Sequence, residues 1–520
     1  MTILLVTGTL AKPIVEKYAS RSKMKVEVVS LPIQVAALMS SQYISNQLKR
    51  IDLSKFDLIL VPGAVEGDTA IIGREIGIPT FKGPKHAADI PFILENLEET
   101  KLSTMRPACE LLGDATMKRA LSELKSIYVR AYMRRRGSGS IPIGQGLRRV
   151  WVGRNLPMRV LAEVVDASMM SDGEIGKRAR HYVESGADIV DVGMVSGGGH
   201  PEEAERAVKA AKSSILKPVS VDTLDPEEIG EAIRAGADLV LSLDMGNMDE
   251  VSKLSRSTPV VITPGTRKHT VPTEVSQRVK QLDRNISKAK SLGFNRIIAD
   301  PVLSPILMPS LTESIAAYCE FRRRNPDIPV LLGAGNVTEL MDADSPGANL
   351  LLAGIGAELG ASILLTTEKS DKTYRCVKEL STAVKIVSLA AARDSAPKDV
   401  GLDLLVLKEK RRREDVIIDS SGAKELRANH GLETVEDPEG LFEIALDRDR
   451  SEIIVAHFSY GSAHPDLILR GNDPLRIVAL AIEQGLVSRL DHAAYLGFEL
   501  EKAKTALVLG RSYVQDCELF

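Results

Sequence analysis

The amino-acid sequence predicts an α/β fold whose centre is a (β/α)₈ TIM barrel between Met158 and Asp394. The first observation is a series of eight short apolar runs, rich in Val, Ile and Leu, in which polarity does not alternate. Strands that are buried on both faces have this pattern. The second observation is that helical stretches separate the runs, and an eighth helical stretch, Thr373–Ala392, follows the last run. Eight strand–helix units in about 235 residues fit such a barrel. The predicted strands are Arg159–Val165, Ala187–Gly193, Pro218–Asp222, Ala237–Leu243, Pro259–Thr263, Arg296–Asp300, Pro329–Gly333 and Ala361–Thr366.

Smaller domains are predicted on both sides of the barrel, which itself spans residues 158–394. Residues 1–125 alternate strand candidates with helical stretches, which indicates a Rossmann-like or flavodoxin-like α/β domain. Residues 126–157 form a basic, glycine-rich linker, whose arginines 134–136 either hold a phosphate or form a solvated hinge. Residues 400–520 follow a charged joint and form a small α+β domain of unknown role. The candidate strands are Ile3–Thr7, Lys25–Ser30, Leu58–Pro62, Leu404–Leu407, Val416–Ser420, Phe442–Leu446 and Glu452–Phe458, and the candidate helices of the last domain are Asp473–Gln484 and Leu490–Leu509.

Composition and charge exclude several classes of protein. A formal net charge of −3 and an aromatic content of 4% argue against a nucleic-acid-binding protein. The four cysteines lie far apart and form no CxxC pair, so we expect neither a zinc site nor disulfides, and we expect a cytoplasmic location. No apolar run reaches the ~18 residues of a membrane-spanning helix, and the first residues are typical of a strand rather than a signal peptide.

Polar residues follow the predicted barrel strands at their carboxyl ends, where barrels of this kind carry their chemistry. Two aspartates, Asp222 and Asp300, end the third and sixth strands and should face each other across the mouth. Other acidic, amide and glycine residues follow the first, second, fourth, seventh and eighth strands. The candidate site residues are Asp166, Gly197, Gly198, Gly199, His200, Asp222, Ser242, Asp244, Asn247, Asp300, Asn336 and Lys369.

Asp222 and Asp300 admit two interpretations. A buried carboxylate needs a partner, and a ligand with several N–H donors, such as the amino-oxo edge of a pterin, would supply one. Asn336 would meet the remaining positions of such a ring as both donor and acceptor. The competing interpretation is that each aspartate caps the helix that follows it.

The segment 158–300 resembles dihydropteroate synthase and the wider family of pterin-binding barrels, which includes methyltetrahydrofolate:corrinoid methyltransferases. Met169–Gly173 stands where the synthase has Ser-Phe-Ser-Asp-Gly, and Ala187–Gly193 is similar to its Ala-Asp-Ile-Ile-Asp-Ile-Gly. Val219–Thr223 resembles its Ile-Ser-Val-Asp-Thr, and Ile298–Pro301 resembles its Leu-Asp-Pro. The whole chain resembles archaeal dihydropteroate synthase-related proteins, which have additional amino- and carboxy-terminal domains. This resemblance implies the tetrahydromethanopterin or folate pathway and a homodimer.

The resemblance implies that Asp222 and Asp300 bind a pterin, and that Asn336 has a counterpart in the methyltransferase branch. Other positions depart from the synthase. At the end of its first strand the synthase has an Asn that works with the diphosphate and a metal ion. This chain lacks that Asn, and only Asp166 could substitute for it. Its Ser-Thr-Arg-Pro-Gly loop is replaced by residues 196–201, Ser-Gly-Gly-Gly-His-Pro, and its final Arg-Val-His by residues 366–369, Thr-Thr-Glu-Lys. The pterin half of the site is therefore better preserved than the diphosphate half.

Three functions remain open on these residues. A synthase would join a dihydropterin-6-ylmethyl diphosphate to an arylamine, with Lys369, His200 and the Gly197–Gly199 amides binding the anion and Mg²⁺ on Asp166. Lys369 is equally well interpreted as a surface charge. A methyltransferase would pass a methyl group from a reduced pterin to a corrinoid. A non-catalytic pterin-binding protein would keep only the pocket.

Overall fold

The computed structural model of this chain describes residues 1–85, 87–97, 101–135, 137, 139–398, 400–409, 421–424, 426–428 and 435–520. The chain divides into two compact units, Met1–Val416 and Ile417–Phe520. The first unit contains an amino-terminal sheet and the eight-stranded barrel, and the second contains a small antiparallel sheet with helices.

The amino-terminal part of the first unit is a four-stranded parallel sheet with the strand order β2-β1-β3-β4. Separate apolar clusters cover its two faces, which explains why its strands are continuous apolar runs. Three of the strands match the predicted runs, whereas the short fourth strand was not predicted. The elements are β1 (Thr2–Gly8), α1 (Lys12–Ala19), β2 (Lys25–Leu31), α2 (Ser41–Leu48), β3 (Leu58–Val61), α3 (Ala70–Ile76), β4 (Thr80–Lys82), α4 (Ile90–Glu95) and α5 (Ala108–Met133).

The region predicted as a linker is largely structured. Helix α5 runs through the predicted boundary at residue 125, and the strands β5 (Ile141–Ile143) and β6 (Val150–Val152) pair in antiparallel fashion. Arg134 follows the last residue of α5, and Arg136 lies outside the described residues. A phosphate site at this arginine cluster stays a prediction.

All eight barrel strands form where the apolar runs predicted them, and they pair in parallel. Seven ladders join the strands in the order β12-β11-β10-β9-β8-β7-β14-β13, and a bridge between Ala299 and Val330 joins the two ends. The helix predicted at Thr373 begins at Cys376. The elements are β7 (Arg159–Val164), α6 (Asp172–Glu184), β8 (Ile189–Gly193), α7 (Pro201–Ser214), β9 (Val219–Asp222), α8 (Pro226–Arg234), β10 (Leu239–Leu243), α9 (Met248–Leu254), β11 (Val260–Ile262), α10 (Val275–Ser291), β12 (Ile297–Ala299), α11 (Leu311–Arg324), β13 (Leu331–Gly333), α12 (Gly335–Thr338), α13 (Ser345–Glu358), β14 (Ile363–Thr367) and α14 (Cys376–Ala392).

The β5–β6 hairpin closes the amino-terminal end of the barrel. Ile141, Ile143 and Val152 form one apolar cluster with inward-facing strand residues such as Leu161 and Ile189. Because these residues lie in the first half of their strands, the hairpin covers the end of the barrel opposite the carboxyl ends of the strands. Only the rim end is therefore left for a ligand.

The second unit is an antiparallel sheet, β15 (Leu441–Asp447), β16 (Glu452–Phe458) and β17 (Leu467–Gly471), with helices α15 (Pro474–Glu483) and α16 (Leu490–Leu509). The central strand alternates between buried and partly exposed residues, as expected for a sheet with one face against helices. The predicted strand Leu404–Leu407 is wrong, because these residues have no regular structure. The predicted strand Val416–Ser420 lies outside the described residues.

Among the described residues, no helix combines the length and the apolar character needed to cross a membrane.

We call the β5–β6 hairpin the plug, and its contribution to stability can be tested. The chain's single tryptophan, Trp151, lies in β6 and reports unfolding of this region. Ile143 is fully buried, so Ile143→Ala should lower the free energy of unfolding by about 2–5 kcal/mol in urea titrations followed by fluorescence. Leu147 in the same hairpin is 94% exposed, and Leu147→Ala should change it by less than about 0.5 kcal/mol. Equal effects of the two substitutions would contradict the plug.

Candidate functional site

Three carboxylates converge inside the mouth of the barrel. Glu163 on β7 lies beside Asp191 on β8 in the strand register, and Asp222 ends β9. One oxygen atom from each of the three groups lies within 4.8 Å of the others. Their chain neighbours Val164, Val192 and Val221 pack outward in the core shared with the helices, so the alternation of the strands directs the carboxylates inward.

Gly193 makes room for this cluster. Gly193 is paired with Asp222 in the register of β8 and β9. A Cβ atom at position 193 would lie 2.2 Å from Oε1 of Glu163. The side chain of Glu163 therefore occupies the volume that any larger residue at 193 would fill.

Few protein groups compensate these charges. The hydroxyl of Ser220 donates a short hydrogen bond to Oδ1 of Asp191, whereas Oδ2 of Asp191 is buried without a partner. Within the described part of the chain, no basic side chain hydrogen-bonds or ion-pairs with Glu163 or Asp222. A buried carboxylate without a cation or donor is costly, so the cluster must hold protons or a ligand.

Burial and mutual repulsion raise the pKa of each group. Burial, followed by repulsion from Asp166, raises the pKa of Glu163 to about 7. Burial, followed by repulsion from Glu163 and Asp300, raises the pKa of Asp222 to about 8. The pKa of the fully buried Asp191 is also raised, first by burial and then by Asp222. The mouth therefore carries protons near neutral pH that a ligand can displace.

Asp300 lies at the same rim and has one free oxygen. Its Oδ1 accepts hydrogen bonds from the Tyr318 hydroxyl at 2.7 Å and from the Val302 amide at 2.7 Å. Burial raises its pKa to about 6, and the Tyr318 hydrogen bond opposes that shift. The positive charge of Arg278 also lowers the pKa of Asp300, but its guanidinium group donates to backbone carbonyls, including that of Val302. The geometry fixes the Asp300 carboxylate and leaves Oδ2 available.

The helix-capping interpretation of Asp222 and Asp300 is wrong. Helix α8 is capped by Asp225, whose carboxylate accepts the amides of Glu227 and Glu228. Helix α11 is capped by Ser310. Asp300 does accept the amide of Val302, but this closes a local turn rather than starting a helix.

Asp244 and Asn247 make hydrogen bonds within their own loop and with the two neighbouring loops. Asp244 accepts the amide of Gly246 at 2.7 Å and contacts Nδ1 of His269 at 2.8 Å. The Asn247 side chain accepts the amide of Asp244 and donates to the carbonyls of Ser242 and Leu224. Both side chains are almost fully buried, so the structure gives them a role in shaping the rim. Ser242 lies in β10 beside them and is half-buried.

Asn336 follows β13 and is oriented by a backbone contact. Its Nδ2 donates to the carbonyl of Leu303 at 2.9 Å, and Gly333 lies against the same amide group. Its amide oxygen has no hydrogen-bond partner among the described residues. Asn336 thus presents an acceptor at the rim, next to the loop that follows Asp300.

Asp166 and Lys369 form an ion pair at 2.9 Å, with side chains 44% and 57% exposed. The structure places Asp166 in a left-handed turn after β7, outside the carboxylate cluster. The inward-facing acid of that strand is Glu163, three residues earlier.

The loop after β8 already holds a carboxylate. Gly197, Gly198 and Gly199 all have positive φ, and the Gly199 amide donates to Oδ2 of Asp225 at 2.9 Å. A Cβ atom at Gly198 would lie 2.3 Å from the same oxygen. The backbone of the exposed His200 donates to Glu228. An anion in this loop would have to displace Asp225.

The candidate site residues predicted from the sequence do not include Glu163, Asp191 or Tyr318. The sequence does contain a signal for Glu163, because a charged residue inside an otherwise apolar strand is rare and indicates a bound partner or a function. The period of two from Leu161, which faces inward, also predicts the direction of Glu163. The Tyr318–Asp300 hydrogen bond spans 18 residues and has no local signal.

Comparison with known protein families matches each part of the chain separately. Residues 164–364 match a family described as "Pterin binding enzyme". Residues 1–85 match a family of unknown function (DUF6513), and residues 436–516 match the family PterinBD-DUF4346.

Among solved structures, dihydropteroate synthase from Xanthomonas albilineans in complex with 7,8-dihydropteroate is 19% identical, with a TM-score of 0.39. The match covers 49% of this chain and 99% of that one. The synthase from Coxiella burnetii in complex with pteroic acid is 21% identical, with a TM-score of 0.37, and the match covers 48% of this chain and 97% of that one. The barrel assignment rests on the strand ladders and not on these scores.

Among curated proteins, the uncharacterized protein MJ0107 of Methanocaldococcus jannaschii is 39% identical. That match covers 100% of this chain and 99% of the archaeal protein. The chain therefore belongs to the archaeal family of dihydropteroate synthase-related proteins, whose central barrel is of the pterin-binding type.

Proposed function

We propose that the mouth of the barrel binds a reduced pterin between Asp222 and Asp300. The observation that carries this proposal is the pair of half-buried carboxylates with free oxygens at the open end of the barrel. Asp222 makes no side-chain hydrogen bond among the described residues, and Asp300 keeps Oδ2 free. A pterin offers the 2-amino group and the adjacent ring N–H to such acceptors, and binding would ionise and pair both groups.

Asn336 and the hairpin plug support this placement. The free amide oxygen of Asn336 adds a third acceptor next to the loop that follows Asp300, whereas its amino group donates to the carbonyl of Leu303. The plug closes the other end of the barrel, so a ligand enters and leaves by the rim. The match of residues 164–364 to pterin-binding enzymes agrees with this ligand.

For the reaction, we propose a dihydropteroate synthase-like condensation of a dihydropterin-6-ylmethyl diphosphate with an arylamine. Diphosphate departure requires positive charge, and Lys369 at the rim is the candidate that supplies it. Its ammonium group would exchange Asp166 for the diphosphate, and Asp166 would then be free. Arg267 and Lys268, exposed after β11, are further candidates.

Methyl transfer from a reduced pterin is a second candidate, because the mouth is strongly acidic. Asp225 occupies the glycine loop, and Glu163, Asp191 and Asp222 would repel a diphosphate. A methylated pterin has no such group. Glu163, whose pKa is raised to about 7 by burial, is also suited to giving a proton to a ring nitrogen at neutral pH.

One assay separates these reactions. The protein is incubated with the dihydropterin diphosphate, Mg²⁺ and 4-aminobenzoate, and in parallel with a methylated tetrahydropterin and cob(I)alamin. We expect a pterin–arylamine product in the first mixture. Methyl-cobalamin in the second mixture and no arylamine product would replace the condensation with methyl transfer. Pterin binding without either product would indicate a binding protein.

Asp222→Asn and Asp300→Asn should each weaken pterin binding by about 1.5–3 kcal/mol, because each removes a charge-assisted hydrogen bond. Isothermal titration calorimetry with a reduced pterin measures this loss. Asp327→Asn, at an exposed position, is the matched control and should leave the affinity unchanged. Unchanged affinity in both site variants would remove the proposed pterin site.

Pterin affinity should increase with pH between about 6 and 8. Burial raises the pKa of Asp300 to about 6 and that of Asp222 to about 8, so the free protein holds protons that the N–H donors must displace. Calorimetry in buffers of different ionisation enthalpy should detect proton release at pH 7. Affinity independent of pH across this range would show that the carboxylates do not ionise on binding.

A further inference from the structure

We infer that Glu163, Asp191 and Asp222 together form a binding site for a hard divalent cation of the Mg²⁺ or Mn²⁺ type. The site lies inside the mouth of the barrel, and Asp166 is not part of it. This inference stands without the proposed function, because cation binding to these residues requires no pterin.

The geometry of the strands builds the site. The adjacent strands β7, β8 and β9 each contribute one inward carboxylate, and one oxygen of each lies within 4.8 Å of the other two. Glu163 and Asp191 are neighbours in the register, so their separation is fixed by the sheet rather than by a loop. The absence of a side chain at Gly193 leaves the space that Glu163 fills.

A second observation points to a missing ligand. Asp191 is 0% exposed, and its Oδ2 has no hydrogen-bond partner, although its Oδ1 accepts from Ser220. An unpaired buried carboxylate oxygen costs free energy that a cation would recover. Since Ser220 holds the other oxygen, Oδ2 is oriented in advance for such a ligand.

The donor set selects the class of ion. The cluster offers carboxylate oxygens, with no histidine or cysteine among its three members. Such ligands suit Mg²⁺, Mn²⁺ or Ca²⁺ rather than zinc or copper. Three ligands leave positions for water. Asp222 has a second oxygen, so a cation and a pterin can share this residue.

Asp166 is a poor alternative position for the ion. Its carboxylate is paired with the ammonium group of Lys369 at 2.9 Å, and a divalent cation there would lie beside a like charge. Asp166→Asn tests this alternative position directly, because it removes that carboxylate and leaves the three proposed ligands in place.

The test is direct binding of Mn²⁺ to the full chain at pH 8, followed by the loss of the electron paramagnetic resonance signal of free Mn²⁺. We expect one Mn²⁺ per chain, displaced by Mg²⁺. Glu163→Gln should weaken binding by about tenfold or more, because it removes one ligand of three. Gly193→Ala should weaken it as well, since its Cβ atom pushes Oε1 away. Asp166→Asn should weaken it less than Glu163→Gln does, because it changes the charge near Glu163 but removes no ligand.

Two results would overturn the site. The first is no uptake of Mn²⁺ up to about 1 mM, the weak end of oxygen-ligated sites, by protein whose circular dichroism and Trp151 fluorescence show that it is folded. The second is loss of binding in Asp166→Asn with binding retained in both Glu163→Gln and Gly193→Ala. Because the experiment contains no pterin, its failure would leave the proposed function untouched, and failure of pterin binding would not affect it.

Discussion

Repulsion among Glu163, Asp191 and Asp222 at one end of the barrel is the constraint on which the rest of this structure depends. Parallel strands place their inward side chains in fixed layers, so the three charges cannot move apart without breaking the sheet. Among the described residues, the side chain of Ser220 donates a hydrogen bond to Asp191, and no basic group forms a direct ion pair with the cluster; the more distant charge of Lys369 opposes the repulsion at Glu163. The mouth is therefore adapted to a positive or N–H-rich ligand. A pterin and a divalent cation satisfy that demand in complementary ways, because they can use different oxygens of Asp222.

The sequence predicted the barrel well because a strand buried on both faces leaves a local pattern. All eight runs became strands, and Asp222 and Asp300 came to the rim because both lie at strand ends. Asp166 illustrates the limit. Proximity to the end of β7 selected it, whereas the alternation of side chains along the strand directs Glu163 inward and leaves Asp166 on a surface turn. The β5–β6 plug was missed because Gly and Pro in a basic segment are also typical of a linker, and only the complementary barrel interior orders it.

The loops distinguish this protein from a simple diphosphate-handling enzyme. In the glycine loop, Asp225 takes the place that an anion would need, and at the rim Lys369 is paired with Asp166. Both contacts are reversible, and a diphosphate would have to break them. The negative mouth and these self-occupied anion sites together explain why methyl transfer stays a second candidate beside condensation. The buried Asp244 and Asn247, with the exposed His269, form a separate hydrogen-bonded network that shapes the rim.

The electrostatic cost of the carboxylates at the barrel mouth is tested most directly by the pH dependence of unfolding. Unfolding is followed by Trp151 fluorescence in urea, with a chelator and no ligand present. Glu163, Asp222 and Asp300 have pKa values raised to about 7, 8 and 6, so between about pH 4 and 8 the folded state binds more protons than the unfolded state. Their contribution to stability is present at low pH and is lost as the pH rises through these values. Asp222→Asn should gain stability relative to the wild type as the pH rises from 5 to 8, because it removes a carboxyl group whose raised pKa destabilises the folded state once the group ionises. A difference between the two proteins that stays constant, or that changes in the opposite direction, would show that ionised Asp222 does not destabilise the folded state.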